Sequence, residues 1–338
     1  MSNIVHIGLG KCATSTLQKS VFPLVAKQKG FTYNSRQLVK ILSKSCRVGL
    51  TVLEIQKAQE ILGNGSNFIS YEKLASWNPV DFERAADRNL AVLGPDTTIL
   101  ITLRDPETYL RSVYQQKIHE GYIIPPEEFF VTKKDYDLAA QISSMNNLDY
   151  YCCDYLDYQH LYNLYKDRFE NVCCVNIEKI SSFNFLDKVI DFSREEKKEL
   201  REVFCNSPRE NISYSNTAMK LTFLRERWLN WHGLKTRSAR DRGLNELKKK
   251  WLDFDVSPSF PSDQLKVNHS RFFTLKKIPR VVFMCFRFIF PKWRTFIQKR
   301  FDKLYPYKKY KLPPELKGIN RGKIKLSKEF LKQLDGDK

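Results

Sequence analysis

Short apolar runs recur along the chain, separated by longer stretches with the spacing of amphipathic helices. Four runs predict buried strands: residues 4–7, 68–70, 97–103 and 171–177. The stretches between and around them predict helices, chiefly over residues 15–29, 36–62, 79–93, 107–119 and 157–169. Strands that alternate with helices are typical of a parallel sheet. We therefore predict an α/β fold in three layers, with P-loop-like topology, a central parallel sheet of about five strands and a helical C-terminal extension.

The first predicted strand leads into a turn that is suited to binding an anion. Gly8 and Gly10 interrupt the apolar run, and a helical pattern begins near Ser15. The first N–H groups of a helix have no partner within it, and the helix dipole favours negative charge at that end. The lysine of the turn adds a full positive charge, and the serine and threonine side chains of the turn add hydroxyl donors. The candidate anion-binding residues are Gly8, Gly10, Lys11, Cys12, Ala13, Thr14, Ser15 and Thr16.

This turn does not match the loop that binds nucleoside triphosphates. That loop requires Gly-x-x-x-x-Gly-Lys followed by serine or threonine, whose hydroxyl holds Mg²⁺. Here Cys12 follows Gly10-Lys11, and Val5 occupies the position of the first glycine. A group-transfer donor that binds without a metal ion fits this pattern better.

The stretch resembles the 5′-phosphosulfate loop of sulfotransferases that use 3′-phosphoadenylyl sulfate (PAPS), in particular bacterial and Golgi-type carbohydrate sulfotransferases. The matching positions are Gly8, Lys11, Ala13, Thr14, Ser15 and Leu17. A second match follows about ninety residues later, where a strand ends in Arg104-Asp105-Pro106 and a helix carries Ser112 and Tyr114. This part resembles the 3′-phosphate motif of the same family. The resemblance covers roughly residues 3–230 and fades beyond them.

The resemblance implies transfer of a sulfuryl group from PAPS to an acceptor hydroxyl or amine, without a metal ion and with 3′,5′-ADP as the second product. Lys11 would stabilise charge on the phosphosulfate, while Arg104 and Ser112 would hold the 3′-phosphate. An arginine fork suits a phosphate dianion. The family often has a tyrosine against the adenine where this chain has Ile177, so the adenine contacts stay open.

Two residues are candidates for the general base that such a transfer requires. Glu72 follows the second predicted strand, within a Ser-x-Glu-x-Leu pattern that the family shares. His119, near the end of the helix that carries Ser112, is the alternative. We interpret His6, inside the first strand, as a histidine of the core.

Positive charge is concentrated at the C-terminal end. The net charge is +19, and residues 271–338 contain twenty Lys and Arg against five Asp and Glu, a net +15 that leaves +4 for residues 1–270. We predict a catalytic domain over residues 1–270 and a basic, aromatic-rich extension over residues 271–338, packed on the core or at a membrane surface.

The extension allows two interpretations. Arg280, Arg287 and Arg294 recur every seven residues within the apolar stretch 278–301, which could lie against an anionic membrane or be buried with its arginines extended to water. Residues 317–323 partly resemble a phosphate loop of cytosolic sulfotransferases. Nucleic-acid binding is disfavoured, because the aromatic residues are not interleaved with the basic ones.

The remaining expectations concern class and location. Eight cysteines without a leader sequence, and no apolar run long enough to span a membrane, predict a cytoplasmic protein with reduced thiols that could bind peripherally at the inner membrane face. Glycans, lipid-linked sugars and small alcohols are all candidate acceptors, and the oligomeric state is not predicted. Two other classes stay open: a nucleotide kinase or NTPase, and a non-catalytic basic protein that binds membranes or nucleic acid.

Overall fold

The computed structural model describes residues 3–120, 123–142, 150–207, 213–231 and 307–336. The chain divides into two compact units. The first contains Met1–Val113, Pro126–Asn211 and Leu312–Lys338, and the second contains Tyr114–Pro125 and Ile212–Lys311.

A five-stranded, all-parallel sheet forms the centre of the first unit. Its strands are β1 (Asn3–Gly8), β2 (Thr32–Tyr33), β3 (Asn67–Ser70), β4 (Thr98–Leu103) and β5 (Val172–Asn176). Their spatial order is β2-β3-β1-β4-β5, so the first strand lies in the middle. The predicted α/β fold with a parallel sheet of about five strands is confirmed.

Helices separate the strands along the chain. A nearly continuous helical segment runs from Thr14 to Lys29 as α1 (Thr14–Thr16), a π-helical turn (Leu17–Val21) and α2 (Phe22–Lys29). The other α-helices of the first unit are α3 (Arg36–Ser45), α4 (Val52–Gly63), α5 (Phe82–Leu93), α7 (Pro126–Phe129), α8 (Lys133–Ile142), α9 (Tyr158–Lys166), α10 (Arg194–Asn206) and α12 (Arg321–Gly336). The boundary between the units falls within α6 (Pro106–Glu120), and α11 (Asn216–Trp231) belongs to the second unit.

Apolar side chains cover both faces of the sheet, as the nearly continuous apolar strands require. In β1 and β4, every residue after the first is buried. One large cluster joins the strands to α2 and α10 through aromatic residues such as Phe22, Phe68 and Phe183. Burying this much aromatic surface is the main force that holds the helices on the sheet.

The predicted helical stretch 36–62 consists of two helices with a loop between them. Gly49 has a φ of 85°, a left-handed conformation that glycine adopts without a steric penalty. Thr51 then caps α4: its side chain accepts from the Glu54 N–H, and the Glu54 carboxylate accepts from the Thr51 N–H at 3.0 Å. This reciprocal capping box fixes where α4 begins.

The chain returns to the first unit at its C-terminal end. The α12 helix packs against α9 and β5. Lys323 forms an ion pair with Asp157 at 2.8 Å, and Asn320 donates to Asp154 at 2.7 Å. Both carboxylates lie at or near the start of α9, so this contact joins residues more than 160 positions apart.

The second unit is described through α11, the end of α6 and a short extended segment. Ser215 and Lys309 form an antiparallel bridge, and Asn216 N–H donates to the Lys308 carbonyl at 2.8 Å. Gln115 donates to the Tyr214 carbonyl at 2.9 Å. This unit is therefore held by backbone pairing as well as by side-chain contacts.

The basic sequence of residues 235–251 predicts a helix. This stretch and the apolar stretch 278–301 lie outside the described residues. The division at residue 270 stays a prediction. Among the helices that the structure describes, none is long and apolar enough to cross a membrane.

Gly318 provides a test of how α12 is attached. A Cβ atom on this residue would lie 1.9 Å from the Phe130 carbonyl oxygen and 2.7 Å from the Val131 nitrogen. We expect Gly318→Ala to lower the free energy of unfolding by about 1–3 kcal/mol, because the backbones must separate. Urea denaturation of the full chain measures this difference.

Gly65→Ala is the matched control, since nothing lies within 4 Å of the corresponding Cβ position. Equal stability of Gly318→Ala and Gly65→Ala would show that this close contact does not contribute to stability.

Candidate active site

The strand order places a topological switch point at the carboxyl ends of β1 and β4. The connection from β1 leads toward β2 and β3, whereas the connection from β4 leads toward β5 on the opposite side. Ligands of open α/β sheets bind at such a switch point, beyond the carboxyl ends of the strands. The loop after β1, Glu72 after β3 and Arg104 after β4 all lie at this edge.

The loop after β1 has an unusual backbone. Gly8 has a φ of 117°, and a Cβ atom there would lie 2.9 Å from the Glu72 carbonyl oxygen. Lys11 and Ala13 also have positive φ angles, of 66° and 56°. Non-glycine residues seldom adopt this conformation, and turns that contain it form concavities of N–H groups that bind anions. The helical segment begins directly afterwards, at Thr14.

Glu72 contacts this loop. It follows β3 in a short 3₁₀ turn (Glu72–Ala75), and the preceding Tyr71 N–H donates to the His6 carbonyl at 2.9 Å. The Thr14 hydroxyl donates to Glu72 Oε2. The carboxylate is half-buried and lies 3.9 Å from the position of a Cβ atom on Gly10. A candidate base and the candidate anion loop are therefore in direct contact.

Arg104 reaches the same loop from β4. The Nη1 atom of Arg104 donates to the Lys11 carbonyl at 3.3 Å, and the Arg104 carbonyl accepts from the Tyr158 hydroxyl at 2.8 Å. The next two residues start α6: Asp105 Oδ1 accepts from the Thr108 N–H at 2.9 Å, and Pro106 is the first helical residue. Aspartate as N-cap followed by proline is a favoured helix start, which explains the abrupt change from strand to helix.

Buried polar side chains connect the three central strands beneath this edge. The Thr102 hydroxyl donates to the Gly8 carbonyl at 3.1 Å, so it must accept from His6 Nε2, 3.0 Å away. The Nδ1 atom of His6 then accepts from the Ser70 hydroxyl at 2.6 Å. This assigns the proton of the ring to Nε2. Burial lowers the pKa of His6 to about 3, so the ring stays neutral.

Cys12 is fully buried, unlike the hydroxyl residue that occupies this position in nucleoside-triphosphate loops. Burial raises the pKa of its thiol, and the charge of Glu72 adds to this effect while Arg104 opposes it. The side chain is therefore a neutral, packed thiol.

The other predicted residues lie elsewhere or are less closely linked. Ser112 is half-buried on α6, eight residues after Arg104. His119 belongs to the second unit, where its ring packs edge-on against Tyr214 with centroids 4.0 Å apart. In the stretch 317–323, Lys323 pairs with Asp157 and Arg321 lies 3.7 Å from Glu107. Carboxylates of the first unit are thus the observed partners of these two cations.

Sequence reasoning did not identify Thr102, Ser70 or Tyr158 as parts of this site. Thr102 is a polar residue within a buried apolar strand, and this was the available signal, because such a hydroxyl requires a partner. No pattern in the sequence connects Tyr158 to Arg104, since the contact depends on how α9 packs.

No model of a known protein family matches the chain, and a search of curated protein sequences likewise finds no match. Within the described part of the chain, no three His, Cys, Asp or Glu side chains are grouped so that they could hold a metal ion.

The buried state of His6 predicts how stability depends on pH. The pKa is about 3 in the folded protein and about 6.5 in the unfolded chain, so the unfolded state binds more protons between these values. We expect the wild type to lose about 1.4 kcal/mol of stability for each pH unit between 6.5 and about 3 through this group. His6→Gln should lower stability at neutral pH and show a flatter pH dependence between pH 6.5 and 4.

Urea unfolding across this pH range measures both slopes, and His160→Gln, at an exposed position, is the control. Parallel pH profiles for the wild type and His6→Gln would contradict the assignment of a buried, neutral ring.

Proposed function

We propose that this protein is a PAPS-dependent sulfotransferase that moves a sulfuryl group to a hydroxyl or amine of an acceptor. The observation that carries the proposal is the contact of Arg104 with the loop of Lys11 at the switch point, 3.3 Å from Nη1 to the Lys11 carbonyl. The two motifs that resemble the sulfotransferase family are ninety-three residues apart in sequence and meet at one edge of the sheet.

The donor groups at this edge suit a nucleotide with two separate anionic ends. Lys11, the N–H groups of residues 10–16 and the hydroxyls of Ser15 and Thr16 would bind the 5′-phosphosulfate. Arg104 and Ser112 would bind the 3′-phosphate, and the backbone contact of Arg104 would fix the distance between the two ends. All of these groups are donors or cations, which is the chemistry that a phosphosulfate and a phosphate dianion require.

In the proposed reaction the acceptor oxygen attacks sulfur in line. An acceptor O–S bond forms, the S–O bond to the 5′-phosphate breaks, and 3′,5′-ADP leaves with the bonding electron pair. Glu72 takes the acceptor proton, and Lys11 stabilises the charge that develops on the leaving phosphate. The contact of Glu72 with Thr14 favours this residue over His119 as the base.

A phosphoryl transferase on the same topology is the competing function. The burial of Cys12 counts against it, because the residue after the lysine cannot supply a hydroxyl to Mg²⁺. The experiments below distinguish the two.

We propose a glycan or a lipid-linked alcohol as the acceptor class and a reducing, cytoplasmic compartment as the location. Supporting the compartment, seven cysteines among the described residues are free thiols, and Cys205 is exposed. Neither the acceptor class nor the compartment enters the test of nucleotide binding.

The proposed function predicts which nucleotide the protein binds. We expect 3′,5′-ADP to bind without metal and, at 100 times its Kd, to stabilise the folded protein by about 2.7 kcal/mol. Arg104→Ala should weaken this binding roughly 10- to 100-fold, because a charged hydrogen-bond donor to phosphate is lost. Isothermal calorimetry gives the affinities, and Arg194→Ala, at an exposed arginine on α10, is the control. Binding of ATP–Mg²⁺ in place of 3′,5′-ADP would instead indicate phosphoryl transfer.

The proposed function also predicts how turnover depends on Lys11 and Glu72. Lys11→Ala should reduce kcat roughly 10²–10³-fold, as other losses of a transition-state donor do, while Lys27→Ala, an exposed lysine on α2, should have no effect. Glu72→Gln keeps the size of the side chain and a hydrogen-bond acceptor for Thr14 but removes the base, so it should lower kcat with little change in 3′,5′-ADP affinity. Release of 3′,5′-ADP from PAPS in the presence of an acceptor mixture is the measurement. Near-normal turnover of Lys11→Ala would exclude this mechanism.

A further inference from the structure

The loop between α3 and α4 exposes a cluster of aliphatic side chains. Val48, Val52 and Leu53 are 55%, 70% and 76% exposed. Seven large apolar side chains are exposed among the described residues, and three of the seven lie within residues 48–53. Single exposed apolar residues are ordinary, but a group of them marks a surface that another molecule covers.

This cluster is held in place by the fold. Val52 and Leu53 are the first residues of α4, and the capping box of Thr51 and Glu54 fixes that helix start. Lys44, near the end of α3, forms an ion pair with Glu54 at 2.6 Å. The aliphatic side chains therefore face water from a fixed helix start.

Basic residues flank the exposed cluster in sequence. Residues 36–57 contain five Lys and Arg, against Glu54 as the sole acid. All five of these cations are exposed, and four of them recur at helical spacing along α3 and its C-terminal end: Arg36, Lys40, Lys44 and Arg47. Lys44 is paired with Glu54, so the local excess of charge is positive. The complementary surface must be anionic and must also accept aliphatic side chains.

An anionic lipid bilayer has both properties. Aliphatic side chains enter the boundary between headgroups and acyl chains, and each nearby Lys or Arg is attracted to acidic headgroups. A second copy of this chain fits less well, because its corresponding surface would bring the same cations together within a chain of net charge +19.

We propose that Val48, Val52 and Leu53, with the basic residues of α3, form a docking surface for anionic membranes. The surface lies at the carboxyl edge of the sheet, because α4 runs toward the start of β3 and so begins at the opposite end. Consistent with this, Cys46 Sγ donates to the carbonyl of Lys73, the residue after Glu72, at 3.5 Å. Docking would thus hold the edge that carries Glu72 near the bilayer.

Vesicle flotation of the full chain tests the proposal. We expect the wild type to bind vesicles of phosphatidylcholine with phosphatidylserine and to bind pure phosphatidylcholine vesicles much more weakly. The double variant Val52→Thr/Leu53→Gln keeps every charge and should lower partitioning into the anionic vesicles at least about tenfold. Leu326→Gln is the matched control, an exposed leucine that is 46% accessible on α12, the helix that packs against β5.

A second measurement separates this surface from other basic parts of the chain. The chain has five native tryptophans, so the signal of the wild type is subtracted. The fluorescence that Leu53→Trp adds should be quenched by lipids with brominated acyl chains, whereas the fluorescence that Leu326→Trp adds should not. Unchanged partitioning of the double variant, or equal quenching at positions 53 and 326, would overturn the proposal.

Self-association is the remaining alternative. A dimer that sedimentation velocity detects without lipid, and that the double variant abolishes, would assign the surface to a second copy and also overturn the proposal. Vesicle binding requires no nucleotide. A chain that docks through residues 52 and 53 but does not bind 3′,5′-ADP would therefore contradict the proposed function alone.

Discussion

The candidate site depends on a chain of buried hydrogen bonds that crosses the sheet from Ser70 through His6 and Thr102 to the Gly8 carbonyl. A buried polar group without a partner destabilises a fold by about 1–3 kcal/mol, so each member of this chain fixes the next. The three strands β3, β1 and β4 are thereby held in a fixed register along the strand direction. Because their carboxyl ends carry Glu72, the loop after β1 and Arg104, the same bonds determine how these groups face each other.

Above this chain, contacts between backbone and side chain complete the site. Arg104 bonds the Lys11 carbonyl, and the Thr14 hydroxyl bonds Glu72, so the loop after β1 is tied to both neighbouring strands. The close approach of the Glu72 carbonyl to Gly8 leaves no space for a side chain there. In the proposed transfer, donors held in this way would stabilise developing charge well, because little reorganisation would be needed during the reaction.

Much of the fold was predictable because buried parallel strands consist of nearly continuous apolar runs, which can be recognised in a sequence. The four strands that the sequence located correspond to β1, β3, β4 and β5. The fifth, Thr32–Tyr33, is a two-residue edge strand, too short to leave a pattern. Its pairing depends on tertiary contacts, including the Thr32 N–H that donates to the Ser66 carbonyl at 2.9 Å. Residues 133–142, where no helix is predicted from the sequence, form α8, which is stabilised at its start by Thr132, whose hydroxyl donates to Asp135.

The candidate site was predictable only where its residues belong to short local motifs. Glycines, lysine and hydroxyl residues in one turn predict an anion-binding loop, and an arginine at the end of a strand predicts a second anion-binding group beside it. Contacts between distant elements leave no such trace: Tyr158 meets the Arg104 carbonyl only because α9 packs beside β5, and α12 secures α9 through Lys323 and Asp157. The basic C-terminal end of the chain is thus partly a structural element, whose cations neutralise carboxylates of the first unit, and its charge alone is a poor guide to a partner.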